Sequence, residues 1–155
     1  MTAIEFADGQ HITVESSAPD FVFSAVLPPG HVGPPAHRHR HETEVFTVEA
    51  GRLLVRCGRE RRLLLPGESV SVPPGTTHAF ANPGDEPVRF RTVETPAGPL
   101  QEQLRALAAA PGRPPLLELA RINAAHDLSF TVAGLPDGPQ RALWWLLARA
   151  ARAAR

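Results

Sequence analysis

The amino-acid sequence predicts an all-β domain, a sandwich or barrel of antiparallel strands, followed by an α-helical C-terminal extension. Along the first two thirds of the chain, short segments rich in β-branched and aromatic residues alternate with turns that contain proline or glycine. After the TPAG stretch at residues 95–98, leucine and alanine recur at helical spacing instead. We therefore expect a β domain at residues 1–97 and a helical extension at residues 98–155.

The individual strands follow from the alternation of apolar segments and turns. The proline-rich stretch at residues 28–35 predicts a non-helical loop, because proline lacks an amide hydrogen and restricts the residue before it. Gly51 and residues 58–60 predict tight turns between successive strands. The predicted strands lie at residues 3–6, 11–15, 20–27, 44–50, 52–57, 61–65, 69–72, 78–81 and 87–94.

The extension is predicted to contain helices at residues 99–110, after the prolines at 114–115, and at residues 140–153. In the last helix, an apolar stripe lies opposite arginines, with Trp144 at its edge and Trp145 among the arginines. The stripe consists of Leu143, Leu146, Leu147, Ala150 and Ala154, and the arginines are Arg141, Arg149 and Arg152. We expect the extension to dock on an outer face or the mouth of the barrel, or on a second subunit. Binding to a membrane surface is the alternative.

The composition argues against several classes of protein. Sixteen acidic residues balance sixteen basic ones, so bulk electrostatic binding to nucleic acid is not expected. A chain of 155 residues fits one well-cored domain with an appendage. The single cysteine, Cys57, excludes an internal disulfide and fits a reducing compartment. With no secretory signal and no apolar run of about 18 residues, we expect a soluble cytoplasmic protein that spans no membrane.

Histidine and glutamate are concentrated in two stretches, residues 30–51 and 67–82. In an extended segment His37 and His39 point to the same face, because side chains alternate along a strand. His78 lies in the second stretch, and a barrel allows separate strands to line one interior. Imidazole ligands at this density predict a site for one divalent transition metal such as iron, manganese, nickel or zinc.

The strand that follows these histidines supplies a carboxylate. Alternation places Glu44 on one face with Phe46 and Val48, and turns Val45 and Thr47 away. A carboxylate on an apolar face needs a partner, and a metal ion supplies one. We therefore expect His37, His39, Glu44 and His78 to be the metal ligands, with positions left open for a substrate.

The spacing of these residues resembles the two motifs of the cupin family. The first motif is filled by His37, His39, Glu44 and Gly51, and the second by Gly67, Pro73, Gly75, His78 and Asn82. The first motif departs from the pattern at His31, where a glycine is expected. The resemblance covers roughly residues 20–97 and implies a cupin jelly-roll β-barrel that holds a metal with the four ligands. The layout also resembles small cupins labelled quercetin-dioxygenase-like, and cupins are commonly dimers, which implies a homodimer here.

Several residues allow more than one interpretation. A His39/His41 pair fits the two-residue period equally well, but only two residues separate His41 from Glu44. We therefore favour His41 as a neighbour of the ligands or a solvated side chain. We expect solvated side chains at His11, His31 and His126, turn formers at Gly67, Pro73, Gly75 and Asn82, and an inert Cys57. Glu94 and Arg91 are further pocket candidates, because the parity of their strand is not fixed.

These residues predict a metal-dependent function on a small organic molecule. Phe46, Val48, Val72 and Phe80 are expected to line an apolar substrate pocket beside the metal. The favoured function is a mononuclear metal-dependent dioxygenase in which Glu44 also acts as a catalytic proton acceptor. The alternatives are a non-oxidative isomerase, decarboxylase or lyase, and a cupin that binds a small-molecule ligand without turnover.

Overall fold

The computed structural model describes residues 2–110, 114–126, 131–132, 134 and 136–153. In that part of the chain, the strands are β1 (Thr2–Glu5), β2 (His11–Ser16), β3 (Phe21–Leu27), β4 (His37–Arg38), β5 (Thr43–Ala50), β6 (Leu53–Cys57), β7 (Glu60–Leu64), β8 (Ser69–Val72), β9 (His78–Ala81), β10 (Val88–Thr95) and β11 (Thr131–Val132). The helices are α1 (Leu100–Ala108), α2 (Leu116–Ala125) and α3 (Asp137–Ala153).

The described strands form two antiparallel sheets. One has the order β1-β2-β3-β10-β5-β8 and the other has the order β11-β4-β9-β6-β7. Neighbours distant in sequence, such as β3 with β10 and β4 with β9, show that the chain repeatedly crosses from one sheet to the other. The predicted jelly-roll barrel, with a helical extension after it, is confirmed.

Alternation along the central strands fills the space between the sheets. On β5 the buried residues are Glu44, Phe46 and Val48, as predicted from the two-residue period. The neighbouring β10 turns Val88, Phe90, Thr92 and Glu94 inward in the same way. The barrel interior is therefore mostly apolar, but it includes two glutamates side by side at one end.

The extension begins by packing α1 against the barrel. Leu100 and Leu104 contact the main hydrophobic core, and Gln103 between them is buried. The backbone before α1 is fixed to the barrel by a 2.9 Å hydrogen bond from the Ala97 amide to the Pro19 carbonyl. A Cβ atom at Gly98 would lie 2.6 Å from Oε1 of Glu42, so the chain passes close to this buried carboxylate.

The predicted apolar stripe on α3 is wrong for two of its leucines. Leu143 and Leu146 are 49% and 56% exposed, and the buried residues are Gln140, Trp144 and Ala148. Leu147 of the stripe is partly buried, Ala150 is exposed, and Ala154 lies outside the described residues. Trp145 is half exposed and stacks under the Arg149 guanidinium at 5.8 Å, so it does lie among the arginines.

Polar contacts explain why α3 turns this face inward. Gln140 accepts a 2.6 Å hydrogen bond from the Val132 amide, and its own amide group donates one of 3.0 Å to the Val132 carbonyl. Trp144 Nε1 donates to Gln140 Oε1 at 3.3 Å, while the small Ala148 packs against Ala120 of α2. Two backbone bonds and a tryptophan fix the rotation of α3, and the outer leucines are left exposed.

Strand β11 is absent from the sequence prediction, and it links the extension to the barrel. It pairs with β4, placing Val132 opposite His37 and Thr131 opposite Arg38. Arg38 Nε also donates to Oδ1 of Asp137, at the start of α3, over 2.8 Å. The extension therefore contacts the strand that carries the first predicted metal ligand. None of the helices in the described ranges combines the length and apolar content needed to cross a bilayer.

Candidate metal centre

The four predicted ligands converge between the two sheets. His37 on β4 lies directly opposite His78 on β9, and His39 comes immediately after β4. Glu44 projects from β5, which belongs to the facing sheet. All four side chains are buried, and their ligand atoms lie within 4.8 Å of one another. Two stretches separate in sequence thus form one buried cluster whose ligand types are compatible with a transition-metal ion.

Three atoms of this cluster lack a hydrogen-bond partner. Oε2 of Glu44 lies 2.7 Å from Nε2 of His78 and 3.5 Å from Nε2 of His39. All three atoms are inaccessible to solvent, and none makes a contact with hydrogen-bond geometry. Buried polar atoms in folded proteins are almost always satisfied, so atoms that point together without partners fit a shared cation.

The backbone orients two of the imidazole rings. Nδ1 of His37 lies 2.8 Å from the Pro35 carbonyl oxygen, and Nδ1 of His78 lies 3.1 Å from that of Thr76. Because a carbonyl only accepts hydrogen bonds, each Nδ1 carries a proton and donates it. Nε2 is therefore the ring atom that each histidine presents to the cluster, in the arrangement usual for metal-binding histidines.

Turns of the second motif, together with Gly33 before β4, hold this geometry. The Gly75 amide donates a 2.7 Å hydrogen bond to the His39 carbonyl, which ties the turn to the ligand segment. The Asn82 side chain donates to the Pro28 and Glu86 carbonyls at 2.9 and 2.8 Å. At Gly33, φ is +67° and a Cβ atom would lie 1.9 Å from the Phe80 carbonyl oxygen, so only glycine fits. These residues have structural roles around the cluster.

Charge within the cluster is distributed unevenly. Burial opposes ionisation of Glu44, but the neighbouring His39 and His78 outweigh it and lower the Glu44 pKa to about 2. Burial also disfavours a charged His78, yet contact with Glu44 raises the His78 pKa. Burial, together with the charges of the other two rings, lowers the His37 pKa to about 3. In the absence of a metal, the lowered pKa values keep Glu44 ionised and His37 neutral, and Glu44 holds the proton of His78 more tightly than usual.

Glu94 is a second buried carboxyl group next to this pair. It lies opposite Glu44 on the adjacent strand β10, and neither of its carboxyl oxygens makes a hydrogen bond of good geometry. Burial and the negative charges of Glu44 and Glu42 raise the Glu94 pKa to about 8. Glu94 is therefore uncharged at neutral pH in the metal-free protein. The inward turn of Val88 and Phe90 on the same strand was a signal that could have fixed its parity.

The other singled-out residues lie away from the ligand atoms. His41 is exposed, so it neither replaces His37 in the cluster nor packs behind a ligand. His31 is not simply solvated, because its Nε2 pairs with Oδ2 of Asp8 at 2.9 Å. Arg91 points to the outer face of the sheet and pairs with Glu15 over 2.8 Å. Of the two pocket candidates on β10, Glu94 therefore lies next to the cluster and Arg91 does not.

A cavity of about 90 Å³ opens beside the cluster. His37, His39 and Glu44 line it together with Phe46 and Phe80, two of the four residues expected at a substrate pocket, and their contact with a substrate stays a prediction. Val48 and Val72 are buried in the barrel core and are not part of the lining. The rest of the lining comes from Gln10, Ile12, Phe23, Ala25, Pro34 and Phe90 of the barrel, and from Leu100, Gln103, Leu104 and Leu107 of the extension.

Sequence reasoning missed two neighbours of the ligands. Cys57 lies opposite His78 where β6 pairs with β9, although no histidine is near it in sequence. Burial and the nearby Glu60 raise the pKa of the Cys57 thiol, so it stays protonated. Glu42 is also buried, and its Oε2 accepts a 3.1 Å hydrogen bond from the His41 amide. Cys57 carries no signal because its position depends on strand pairing, whereas Glu42 continues the two-residue period of Glu44 and Phe46 and could have been found from it.

The fold and the cluster define a class, a double-sheeted jelly-roll barrel with three histidines and a glutamate converging inside it. A family model described as the cupin domain matches residues 23–94, the part of the chain that contains all four cluster residues. Residues 23–94 are therefore a cupin domain, and helices follow the barrel.

The chain is similar to part of several longer proteins, some of them named as enzymes. The chain is 32% identical over 60 residues to a mannose-1-phosphate guanylyltransferase of Salmonella typhimurium, covering 39% of this chain and 12% of that protein. A sugar phosphate isomerase from a cupin superfamily of Silicibacter pomeroyi is 26% identical, with a TM-score of 0.53, covering 57% of this chain and 60% of that one. An RmlC-like cupin of Shewanella frigidimarina has a TM-score of 0.55 at 18% identity, covering 62% and 84%, and it shows the fold alone. The matches thus span under two thirds of the first two relatives.

Proposed function

We propose that His37, His39, Glu44 and His78 bind one divalent first-row transition metal ion, iron, manganese, nickel or zinc, and that the protein is a metal-dependent cupin enzyme. Its favoured reaction is dioxygenation of a small organic molecule. The observation that supports the proposal is the convergence of three partnerless buried atoms, Nε2 of His39 and His78 and Oε2 of Glu44. A cation that contacts all of them would remove the cost of burying them unsatisfied.

A metal bound to these residues would supply Lewis acidity and, for iron or manganese, redox chemistry with dioxygen. The chain supplies the surroundings of that chemistry. Four protein ligands leave coordination positions open on a five- or six-coordinate ion, and the cavity beside His37 and His39 gives a substrate access to them. Phe46 and Phe80 exclude water from the same wall. Oε2 of Glu44 is the proposed proton acceptor, because no other described carboxylate lines the cavity.

A second candidate is a non-oxidative reaction, such as isomerisation, decarboxylation or elimination, at the same metal. The resemblance to the isomerase of Silicibacter pomeroyi favours it, since that relative shares the barrel at 26% identity. Binding of a ligand without turnover is the third outcome that the same cluster allows.

One set of measurements separates these candidates. The protein is purified without chelator, and its metal content is determined by mass spectrometry. A stoichiometry near one ion per chain, lost in His78→Ala, supports the site, whereas equal metal content in both proteins contradicts it. Oxygen uptake with catechol-type substrates supports dioxygenation. Turnover under anaerobic conditions selects the non-oxidative reaction, and saturable binding without product selects the binding protein.

The homodimer and the cytoplasmic location stay predictions. Leu143, Trp145 and Leu146 leave an apolar surface on α3 that a second subunit would cover. Light scattering on the purified protein, compared with a Trp145→Glu variant, tests the dimer directly. A monomeric mass for both proteins contradicts it.

A further inference from the structure

The cavity beside the cluster has two unlike ends. His37, His39 and Glu44 form a polar end, whereas the remaining wall is aromatic and aliphatic. Four phenylalanines line it, at positions 23, 46, 80 and 90, and the rings of Phe46 and Phe80 lie 5.5 Å apart. A ligand that fills this space therefore meets the candidate metal ligands on one part of the wall and mostly apolar surface elsewhere, with Gln10 and Gln103 as the other polar groups.

The cavity contains no cation to balance an anionic ligand. None of its described lining residues is arginine, and apart from the ligand residues His37, His39 and Glu44 the polar ones are Gln10 and Gln103. A phosphate or carboxylate remote from the metal end would be buried without a counter-charge, which strongly disfavours binding. The substrate suggested by the name of the sugar phosphate isomerase therefore does not suit this cavity.

Helix α1 supplies part of the cavity wall. Leu100, Leu104 and Leu107 recur at helical spacing and face the cavity, and Gln103 beside them is only 3% exposed. Nε2 of Gln103 lies 3.5 Å from Oδ1 of the buried Asn123, so α1 is fastened to α2 on its other side. Part of the cavity wall thus belongs to the extension, and the extension limits the space for a ligand.

We infer that the substrate is a compact, uncharged organic molecule with a metal-binding polar group at one end, and that Leu104 and Leu107 of α1 set its maximum size. This inference rests on the metal site of the proposed function. A cavity of about 90 Å³ is smaller than the 150 Å³ cavity known to hold benzene, so a polycyclic substrate requires displacement of α1.

The test uses the full-length protein loaded with Co²⁺, whose visible absorption reports the ligands that bind it. Acetohydroxamic acid and benzohydroxamic acid carry the same metal-binding group on a small and a large apolar tail, and glycerol 3-phosphate is the anionic probe. We expect acetohydroxamic acid to bind the wild type at least tenfold more tightly than the other two. Leu104→Ala and Leu107→Ala should each tighten benzohydroxamic acid about tenfold and leave acetohydroxamic acid unchanged.

Leu117→Ala is the matched control, because Leu117 is 41% exposed on α2 and does not line the cavity. It should bind all three probes as the wild type does. Unchanged selectivity in both folded α1 variants, or binding of glycerol 3-phosphate as tight as that of acetohydroxamic acid, overturns the inference but not the metal site. Failure of the wild type to bind Co²⁺ at all overturns both. Circular dichroism establishes that each variant is folded.

Discussion

Glu44 and Glu94 face each other on neighbouring strands and differ in charge. Both are buried, and both point into the barrel. Glu44 has two histidines next to it, and its pKa falls to about 2. Glu94 has the carboxylates of Glu44 and Glu42 as neighbours, and its pKa rises to about 8.

The comparison shows that neighbours, rather than burial alone, decide which carboxyl group is available to a cation. Desolvation disfavours the charged form of both glutamates, and only Glu44 has imidazoles close enough to reverse the effect. Glu44 is therefore the carboxyl group that joins the three histidines in the candidate ligand set. Glu94 is protonated near neutral pH and adds no further negative charge to that set.

The largest expected effect is the loss of metal affinity when the imidazole of His78, next to Glu44, is removed. In His78→Ala the site loses one ligand and Glu44 loses its closest neighbour, so we expect metal affinity to fall at least a thousandfold. That is about 4 kcal/mol. Competition with a chromophoric chelator measures the affinity. His41→Ala, which changes an exposed histidine of the same segment, should bind as the wild type does; equal losses in both variants would show that the ligand assignment is wrong.

The next largest effect is on the pH dependence of stability when the carboxyl group of Glu94 is replaced. Its native pKa of about 8 exceeds the ordinary value of 4.5, so the metal-free native state holds an extra proton between those pH values. Stability contributed by this group is complete below pH 4.5 and is lost as the pH rises to about 8. Glu94→Gln removes the titration, so the stability of the wild type relative to this variant should fall by up to about 5 kcal/mol between pH 5 and pH 9. Urea unfolding of chelator-treated protein at pH 5 and pH 9 measures the difference.

Glu68→Gln controls for the loss of an exposed carboxylate and should follow the wild-type pH profile. If the free energy of unfolding of Glu94→Gln and of the wild type changes with pH in parallel, Glu94 does not have a raised pKa, and the two glutamates do not differ as described.

A smaller effect concerns the proton on His78. Contact with Glu44 raises the His78 pKa, so the metal-free protein keeps this proton towards higher pH, and a metal must displace it. Below the raised pKa, metal affinity should fall about tenfold for each unit of pH. Calorimetric titration in buffers of different ionisation enthalpy should report about one proton released per metal ion. Release unchanged by Glu44→Gln would mean that the carboxylate does not hold that proton.

The smallest effect comes from the attachment of β4 to α3. Arg38 lies between the two ligand histidines and pairs with Asp137, which is largely solvent-accessible. Arg38→Ala should therefore reduce the free energy of unfolding by only about 0.5–1 kcal/mol. Thermal unfolding measures the loss, with Arg91→Ala as a control for an exposed pair on the outer face. A change of several kcal/mol would show that this contact is essential to the ligand strand.

The sequence was sufficient where local periodicity determines the structure. Alternation placed Glu44 on the buried face of β5, and the motif spacing brought His37, His39 and His78 to it. Alternation from Val88 and Phe90 could have placed Glu94 on the inner face of β10, but its position opposite Glu44 depends on pairing with β5 and has no signal in its own strand. The same is true of Cys57 beside His78.

The extension was predicted less well for a related reason. A two-residue strand such as β11 has no periodicity to detect, and it exists through its pairing with β4. The rotation of α3 is fixed by the hydrogen bonds between Gln140 and Val132. A prediction based on apolar periodicity places a polar residue such as Gln140 on the outer face. Leu104 was correctly placed on a helix, but its position at the metal cavity depends on tertiary packing.

The pairing of β11 with β4 has a consequence for folding during synthesis. A ribosome releases the motif residues, from His37 to Asn82, well before Thr131 and Val132 emerge. The nascent barrel therefore has all four ligand side chains while the edge of its histidine strand is still open to other chains. Docking of the later segment both covers that edge and completes the surroundings of His37.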